Sequence, residues 1–441
     1  MLKTESYETP MTLLQSSEVL KSFHDLDIVV LIERHADPGV IARDIMSAKF
    51  EAKEELHDDP DQRVLLAALS SFYQYPKVSH YNTTHLRRQS FYALPRVHLE
   101  LLTARPFSYL NVLDAVDDAI DSNAELSLAI FRSGVETFGS TNPPSVSDAK
   151  SNEWRGKATS NDFEKARSTL RQFFRDWSTE GSAEREACYS PVIKALKKEQ
   201  QAHPGSNLKV LVPGAGLGRL VFDLCCEGFD TEGNEISYHQ LIASSYILNH
   251  CPEAQKHTLF PWVHSFSNHK SRANHLKSVL VPDIHPAAVM GAVKKPGKMS
   301  MSASDFLLLY GDDDQKDSFD AVATVFFLDT APNVIRYIEV ISNCLRTGGL
   351  LVNIGPLLWH FENNAPGAHG REKEANDDQG AKGIADPGSI ELTDDEVVAL
   401  IEKLGFDIEH RESGIAAPYI QDVESMVQNT YMASHWVARK R

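Results

Sequence analysis

The chain has 441 residues, 42% of them hydrophobic, and a formal net charge of −17 from 44 basic and 61 acidic side chains. That length holds one large domain or two, and the apolar content supports a real core. The acidic balance argues against nucleic acid as a partner, because phosphate binding rests mostly on Lys and Arg. The five cysteines (Cys188, Cys225, Cys226, Cys251, Cys344) form no C-x-x-C pair and no metal-ligand spacing. They read as buried free thiols of a reducing compartment. No basic stretch leading into an apolar core opens the chain, so no signal peptide is expected. No apolar run approaches the roughly 18 residues that span a membrane. The expectation is a soluble protein of the cytoplasm, with the nucleus as a second location, and with no nucleic-acid or membrane partner.

Residues 1–15 are polar and read as loose. From there to 138 the pattern is helical, with no strand alternation. Asp37-Pro38 is a cap followed by a first-turn proline, and Ile41, Ile45 and Ala48 repeat at helical spacing. A second helix starts at Pro60-Asp61, with Val64, Leu65, Leu69 and Phe72 on one face. Val116, Ile120, Leu126 and Ile130 mark an acidic amphipathic helix. Residues 1–138 are therefore predicted to form a helical N-terminal region, and its helices are candidates for a homodimer contact. His85-Leu86-Arg87-Arg88 is a small basic patch that reads first as a solvated helix face. Residues 139–152 (GSTNPPSVSDAKSN) read as a linker. A helix follows from about Asp162 to Trp177, with Leu170, Phe173, Phe174 and Trp177 as its apolar face. Gln172 and Arg175 share another face. Taken alone, that pair is a solvated edge.

The chain is organised around Leu208–Ser237, LKVLVPGAGLGRLVFDLCCEGFDTEGNEIS. Val210-Leu211-Val212 reads as a buried strand. It runs into Gly214-Ala215-Gly216-Leu217-Gly218, and then into a helix with Leu220, Val221 and Leu224 on one face and Gly228 at its end. A second strand ends in Gly233-Asn234-Glu235. Strand, glycine loop, helix, strand and acid make a nucleotide-binding βαβ unit, in which the acid accepts hydrogen bonds from a ribose diol. The dinucleotide fingerprint requires a glycine at its sixth position. That position is Arg219 here, and the spacing Gly-x-Gly-x-Gly resembles motif I of the class I methyltransferases, which bind S-adenosylmethionine.

Ser237-x-x-Gln240 reads as a capping box opening a helix through Leu241, Ala243, Tyr246 and Leu248. Residues 259–283 are mixed and aromatic, and 285–298 read as a loop. Residues 301–306 introduce a short helix. Phe319–Leu328 is a near-continuous apolar strand, as at the centre of a parallel sheet. It ends in Asp329, and Pro332 opens a helix with Val334, Ile335, Ile338, Ile341 and Leu345. Gly348-Gly349 turns into another apolar strand, 350–354. Residues 363–389 carry almost no large apolar side chain and read as a flexible insertion in a domain spanning 153–441. Thr393-x-x-Glu396 is a second capping box, with its helix ending at Gly405. Residues 406–412 and 431–439 read as two closing strands. The pattern predicts an α/β fold, a doubly wound, mostly parallel sheet of seven strands.

Side chains beyond the carboxyl ends of such strands face the ligand crevice. Glu235, Asp329 and His360 stand there. Asp329 serves either the site or the cap of the following helix. His360 serves either the site or ordinary packing. No Asp, Glu or His cluster has metal-ligand spacing, so a metal-dependent O-methyltransferase is disfavoured and no metal is expected.

Six runs together resemble the carnosine N-methyltransferase family: LRQFFRDWS, LVPGAGLGRL, GNEIS, PWVHSFSN, FFLDTAPNVIRYIE and GPLLWHFEN. The resemblance covers residues 162–441, more weakly those before. It implies a class I, Rossmann-like methyltransferase sheet with an added helical N-terminal region. The implied reaction moves a methyl group from S-adenosyl-L-methionine to the imidazole of carnosine, at the nitrogen nearer the side-chain stem, giving anserine. The family's cofactor contacts fall on Gln172, Arg175, Gly214, Glu235, Asp305, Phe306 and Val325, with Gly216 in the same loop. Val325 departs from the small polarisable residue expected at its position. The family's acceptor contacts, which include the catalytic pair Asp329 and His360, fall on Asp329, His360, Tyr419 and Tyr431. By this resemblance Gln172 and Arg175 become a lid over the cofactor, and the partner is a small peptide substrate. Residues 363–389 and 285–298 leave room for a different histidine-containing peptide or protein as acceptor. A non-catalytic cofactor-binding scaffold is the alternative from another class.

Overall fold

The computed structural model describes residues 18–22, 29–33, 60–138, 155–205, 207–364, 383–385 and 388–441. Eleven strands occur among them. They are β1 (Glu18–Ser22), β2 (Val29–Glu33), β3 (Lys209–Pro213), β4 (Asp230–Glu235), β5 (His257–Leu259) and β6 (Val279–Val281). The rest are β7 (Met299–Ala303), β8 (Phe319–Val325), β9 (Leu345–Gly355), β10 (Phe406–Pro418) and β11 (Thr430–Lys440). One sheet has the order β1-β2-β7-β4-β3-β8-β9-β11-β10, and β5 pairs β6 separately.

The last seven strands of that order are the predicted sheet. Within it β3 is central, β4 and β7 lie to one side, and β8 and β9 to the other. These five are parallel, while β11 runs antiparallel to both β9 and β10. The chain therefore changes direction across the sheet at β3, and the crevice beyond its carboxyl end is where an open α/β sheet binds ligands. Helices cover both faces. On one, Val210, Val212 and Val352 pack with Leu220, Val221 and Leu224 of the Arg219–Cys226 helix. On the other, Leu211, Val322 and Leu351 pack with Ile338 and Ile341 of the Val334–Cys344 helix and with Val397 and Ile401 of the Asp394–Lys403 helix.

β1 and β2 extend the sheet beyond seven strands, β2 parallel to β7 and β1 antiparallel to β2. The prediction of an all-helical N-terminal region missed them. Val29-Val30-Leu31-Ile32 is a short apolar run, and periodicity cannot separate such a run from a buried helix. The rest of the region is helical. Leu69 and Phe72 of the Pro60–His80 helix and Leu126 and Ile130 of the Tyr109–Phe138 helix join Phe173, Trp177, Leu241 and Ile242 in one cluster. The approach is close enough that a Cβ on Gly134 would lie 2.5 Å from the Ile242 side chain. The basic patch is absorbed locally: Arg88 pairs with Asp114 and Asp117, and the Arg87 guanidinium lies 4.0 Å from the Phe266 ring centroid. The predicted helix at 37–48, the linker at 139–152 and most of 363–389 lie outside the described residues.

Other local expectations are corrected. Residues 285–298 contain a helix, Pro286–Ala292, opened by its N-terminal proline. Residues 299–303 are strand β7, with the short helix beginning only at Phe306. The apolar run 319–328 stops as a strand at Val325, because Phe326 turns to φ +54°. Ser237 caps no helix with its side chain. Thr393 and Glu396 do form the predicted capping box.

Candidate active site

The glycine loop leaves β3 with Gly214, Gly216 and Gly218 at φ +67°, +58° and +74°. Only glycine takes that conformation without strain. A Cβ on Gly214 would also lie 2.7 Å from the Phe327 ring, whereas the space above Gly216 is open, with the Gln240 Oε1 atom 3.9 Å away. Against this loop lies an open cleft of about 540 Å³. Arg175, Glu184, Gly214, Gly216, Val325 and Tyr419 are among its lining residues.

Glu235 ends β4 beside the loop. Its Oε2 accepts the Gly216 N–H at 2.9 Å and its Oε1 accepts the Ser237 N–H at 2.8 Å. Burial raises its carboxyl above the ordinary value, against the pull of those N–H groups. Each carboxylate oxygen keeps a second lone pair, so Glu235 can still accept from a hydroxyl. Gln172 reaches the loop through Gln240, whose Nε2 donates to Gln172 Oε1 at 2.5 Å. Gln240 Oε1 is buried without a hydrogen-bond partner. Its role was hidden in the sequence because Gln240 looked like the second half of a capping box.

Arg175 donates to Asp176 through Nε at 2.7 Å and Nη2 at 3.1 Å, and its guanidinium lies 4.8 Å from the Tyr419 ring centroid. Arg219 explains why the sixth position of the loop is not glycine. Its Nη1 donates to Asp176 O at 3.1 Å and to Asp283 Oδ1 at 2.7 Å, and it packs over Trp177. Trp177 Nε1 in turn donates to Leu217 O at 3.1 Å. The helix carrying Gln172 and Arg175 is thereby tied to the glycine loop.

Asp305 and Phe306 follow β7, next to the end of β4. The Asp305 carboxylate caps its helix by accepting the Leu307 N–H at 2.8 Å, and it accepts the Ile384 N–H from the insertion at 2.8 Å. The Phe306 ring is buried against Tyr310, Phe327 and Tyr337, so its side chain belongs to the core.

A second group of candidate residues lies beyond β8. The Phe326 N–H donates to Ile354 O at 3.0 Å, and a Cβ on the underlying Gly355 would lie 3.1 Å from that nitrogen. This pins the ring in a left-handed turn. Its centroid lies 5.3 Å from Tyr419 and 5.8 Å from Tyr431, which are 6.2 Å from each other. Sequence reasoning missed Phe326 because the apolar run concealed the break in the strand. Asp329 is 2% exposed. It does not cap the next helix, because Asn333 does so by accepting the Ile335 N–H. Instead its Oδ2 accepts the Leu358 N–H at 3.0 Å, and its backbone oxygen accepts the His360 N–H at 3.0 Å. Burial raises the Asp329 carboxyl above its ordinary value, while the Leu358 N–H and the nearby His360 act in the opposite sense. His360 itself is exposed.

Open glycine backbone and the half-buried Arg175 line the cleft, and the Glu235 carboxylate and the unpaired Gln240 amide oxygen stand against the same glycine loop. That set suits a ligand bearing a ribose diol and a charged amino-acid end, and S-adenosylmethionine has both. Among the described residues no group of three or more His, Cys, Asp or Glu side chains could hold a metal ion. Likewise no helix there is long and apolar enough to cross a membrane.

The family model described as carnosine N-methyltransferase matches residues 152–441. The carnosine N-methyltransferase of Schizosaccharomyces pombe is 35% identical over 386 residues, which is 87% of this chain and 97% of that protein. The carnosine N-methyltransferase of Mus musculus is 35% identical over 378 residues, 84% of each chain. A solved magnesium protoporphyrin IX methyltransferase from Synechocystis PCC 6803 covers 64% of this chain and 95% of its own, at 12% identity and a TM-score of 0.34, too distant to add to the argument. On the family match and the two relatives, this chain belongs to the carnosine N-methyltransferase family.

Proposed function

We propose that this protein transfers a methyl group from S-adenosylmethionine to an imidazole nitrogen of carnosine, giving anserine. The observation that carries this reading is the cluster of the Phe326, Tyr419 and Tyr431 rings, two of which line the glycine-loop cleft, with the buried Asp329 carboxylate three residues after Phe326. When bound, S-adenosylmethionine supplies the electrophilic methyl carbon. Gly214, Gly216, Glu235, Gln172 and Arg175 would hold it.

A neutral imidazole is itself a nucleophile, and an unperturbed pKa of about 6.5 leaves it mostly neutral at pH 7. No strong base is needed. Asp329 accepts a hydrogen bond from the N–H of the imidazole nitrogen that does not react. That selects the tautomer and stabilises the cation formed at transfer. The aromatic faces of Phe326, Tyr419 and Tyr431 also favour a cation over water. His360 and the tyrosines orient the peptide part of the acceptor.

The test is methyl transfer from labelled S-adenosylmethionine to carnosine by the purified protein. Free histidine and a histidine-containing protein extract run in parallel. Labelled anserine supports the reading. Label found only in the extract would identify a different acceptor.

A further inference from the structure

Tyr419, which lines the cleft, opens the return loop between β10 and β11, residues 419–429. The next residue is strained. Ile420 is β-branched, yet its φ is +47°. A β-branched residue in the left-handed region is a true outlier and persists only where its surroundings hold it.

The hold comes from two helices. Glu184 lies in the first turn of the Ser182–Ala202 helix, is 6% exposed, and lines the cleft. Its Oε2 accepts the Ile420 N–H at 2.7 Å and its Oε1 accepts the Gln421 N–H at 2.6 Å. From the Ser160–Trp177 helix, Arg171 Nη2 donates to Ile420 O at 3.3 Å. An acid in a first turn ordinarily serves its own helix. Here both oxygens are spent on backbone more than two hundred residues away. The loop closes on itself where the Tyr419 N–H donates to Asn429 O at 3.0 Å. Tyr419 immediately precedes the clamped turn, and its ring meets Phe326 and Arg175.

We propose that Glu184, assisted by Arg171, is a positioning residue for acceptor binding: it clamps the Ile420 turn so that Tyr419 forms the wall of the cleft beside Phe326. Neither residue belongs to the glycine motif or to the acceptor set read from the sequence. The proposal rests on the reading of Tyr419 as an acceptor contact.

The experiment uses the full chain with Glu184→Gln, Tyr419→Ala and the double variant. Glu184→Gln is nearly isosteric but turns an amide N–H₂ toward a backbone N–H. Steady-state kinetics with carnosine are read beside amide hydrogen exchange. Glu184→Gln is expected to raise KM about tenfold while kcat changes by less than about threefold. Exchange should accelerate within 419–430 and not in the glycine loop. In the Tyr419→Ala background the added effect of Glu184→Gln should shrink to within about twofold, since the two act through one contact.

Unchanged exchange in 419–430 would overturn the proposal, as would an undiminished effect in the Tyr419→Ala background. If Glu184→Gln does not fold, Arg171→Leu releases the Ile420 carbonyl, along with the guanidinium's contact with the Trp262 ring, and is held to the same outcomes. A wild-type protein that ignores carnosine overturns the proposed substrate instead. The exchange response still decides the clamp, and the coupling is then read on the acceptor labelled in the extract.

Discussion

Asp329→Asn separates the charge of the proposed acceptor site from its shape. Asp329 is 2% exposed, and its Oδ2 accepts the Leu358 N–H at 3.0 Å. An asparagine oxygen can keep that bond, so the fold should survive. What is lost is the negative charge facing the imidazole N–H. A hydrogen bond with a charged partner contributes about 1.5–3 kcal/mol. At about 1.4 kcal/mol per tenfold, kcat should fall by about 10- to 100-fold. The loss should appear in kcat more than in KM, because the methylimidazolium cation develops only in the transition state. The assay measures initial rates against carnosine at saturating S-adenosylmethionine from about pH 6 to 8.5, across the imidazole titration. Both proteins should lose rate as the substrate imidazole protonates, and Asp329→Asn should be the slower across the whole range. The stability effect has the opposite sense. A carboxyl raised in the folded state contributes stability below its unfolded pKa and loses it as pH rises through the folded value. Asp329→Asn should therefore melt no lower than wild type at neutral pH. Retention of wild-type kcat and KM by Asp329→Asn would refute the reasoning.

Gly214→Ala and Gly216→Ala should differ although both sites have positive φ. Each incurs about 1–2 kcal/mol of left-handed strain, but only Gly214→Ala adds a clash, with Phe327, for about 1–3 kcal/mol more. Thermal melting should place Gly214→Ala clearly below Gly216→Ala. Phe326→Leu keeps an apolar side chain and removes the aromatic face. Its kcat/KM for carnosine should fall by about three- to tenfold, with cofactor affinity by calorimetry unchanged. His80 bonds Asp117 through Nδ1 and Asp121 through Nε2, both at 2.7 Å. Burial lowers its pKa, but those carboxylates outweigh it and the net shift is upward. Its stabilisation is therefore full below an unfolded pKa of about 6.5 and is lost as pH rises through the higher folded value. Hydrogen exchange in the Pro60–His80 helix should quicken over that window, and His80→Asn should remove the pH dependence.

What could be read from the sequence was what local spacing encodes. The strand–glycine–helix–strand unit, the capping box at Thr393 and the apolar centre of β8 each lie within one short segment, where period, turn chemistry and caps agree. The seven-stranded core follows from their order. Groups assembled by the fold from distant segments were not legible in local pattern: Tyr419 and Tyr431 entered only through the family resemblance, and Phe326 not at all. Phe326, Tyr419 and Tyr431 form their triangle only because β8 and the β10–β11 pair converge at one end of the sheet. Gln240 carried a local signal that pointed to the wrong partner, a cap instead of Gln172. Asp329 was left between cap and site, and only the position of Asn333 removes it from the cap. β1 and β2 escaped because a short apolar run has no period to read.

Arg219 shows how one departure from a familiar pattern joins two functions. In a dinucleotide fold the glycine at that position allows close packing of helix on strand. Here an arginine 8% exposed fills the place and shares Asp283 with Arg185, through Asp283 Oδ1 and Oδ2 respectively. Arg185 Nη1 then donates to Arg175 O at 2.6 Å and to Ser178 O at 2.8 Å, holding the end of the helix that bears Gln172 and Arg175. Its neighbour in sequence, Glu184, holds the turn after Tyr419. Successive residues on a helix point about 100° apart, so one turn can serve two walls. The first turn of the Ser182–Ala202 helix is thus the joint between the proposed cofactor wall and the proposed acceptor wall. It also explains why the cleft depends on chain that precedes the glycine loop. The loop and the sheet supply the floor, and residues 171–185 tie the two walls together.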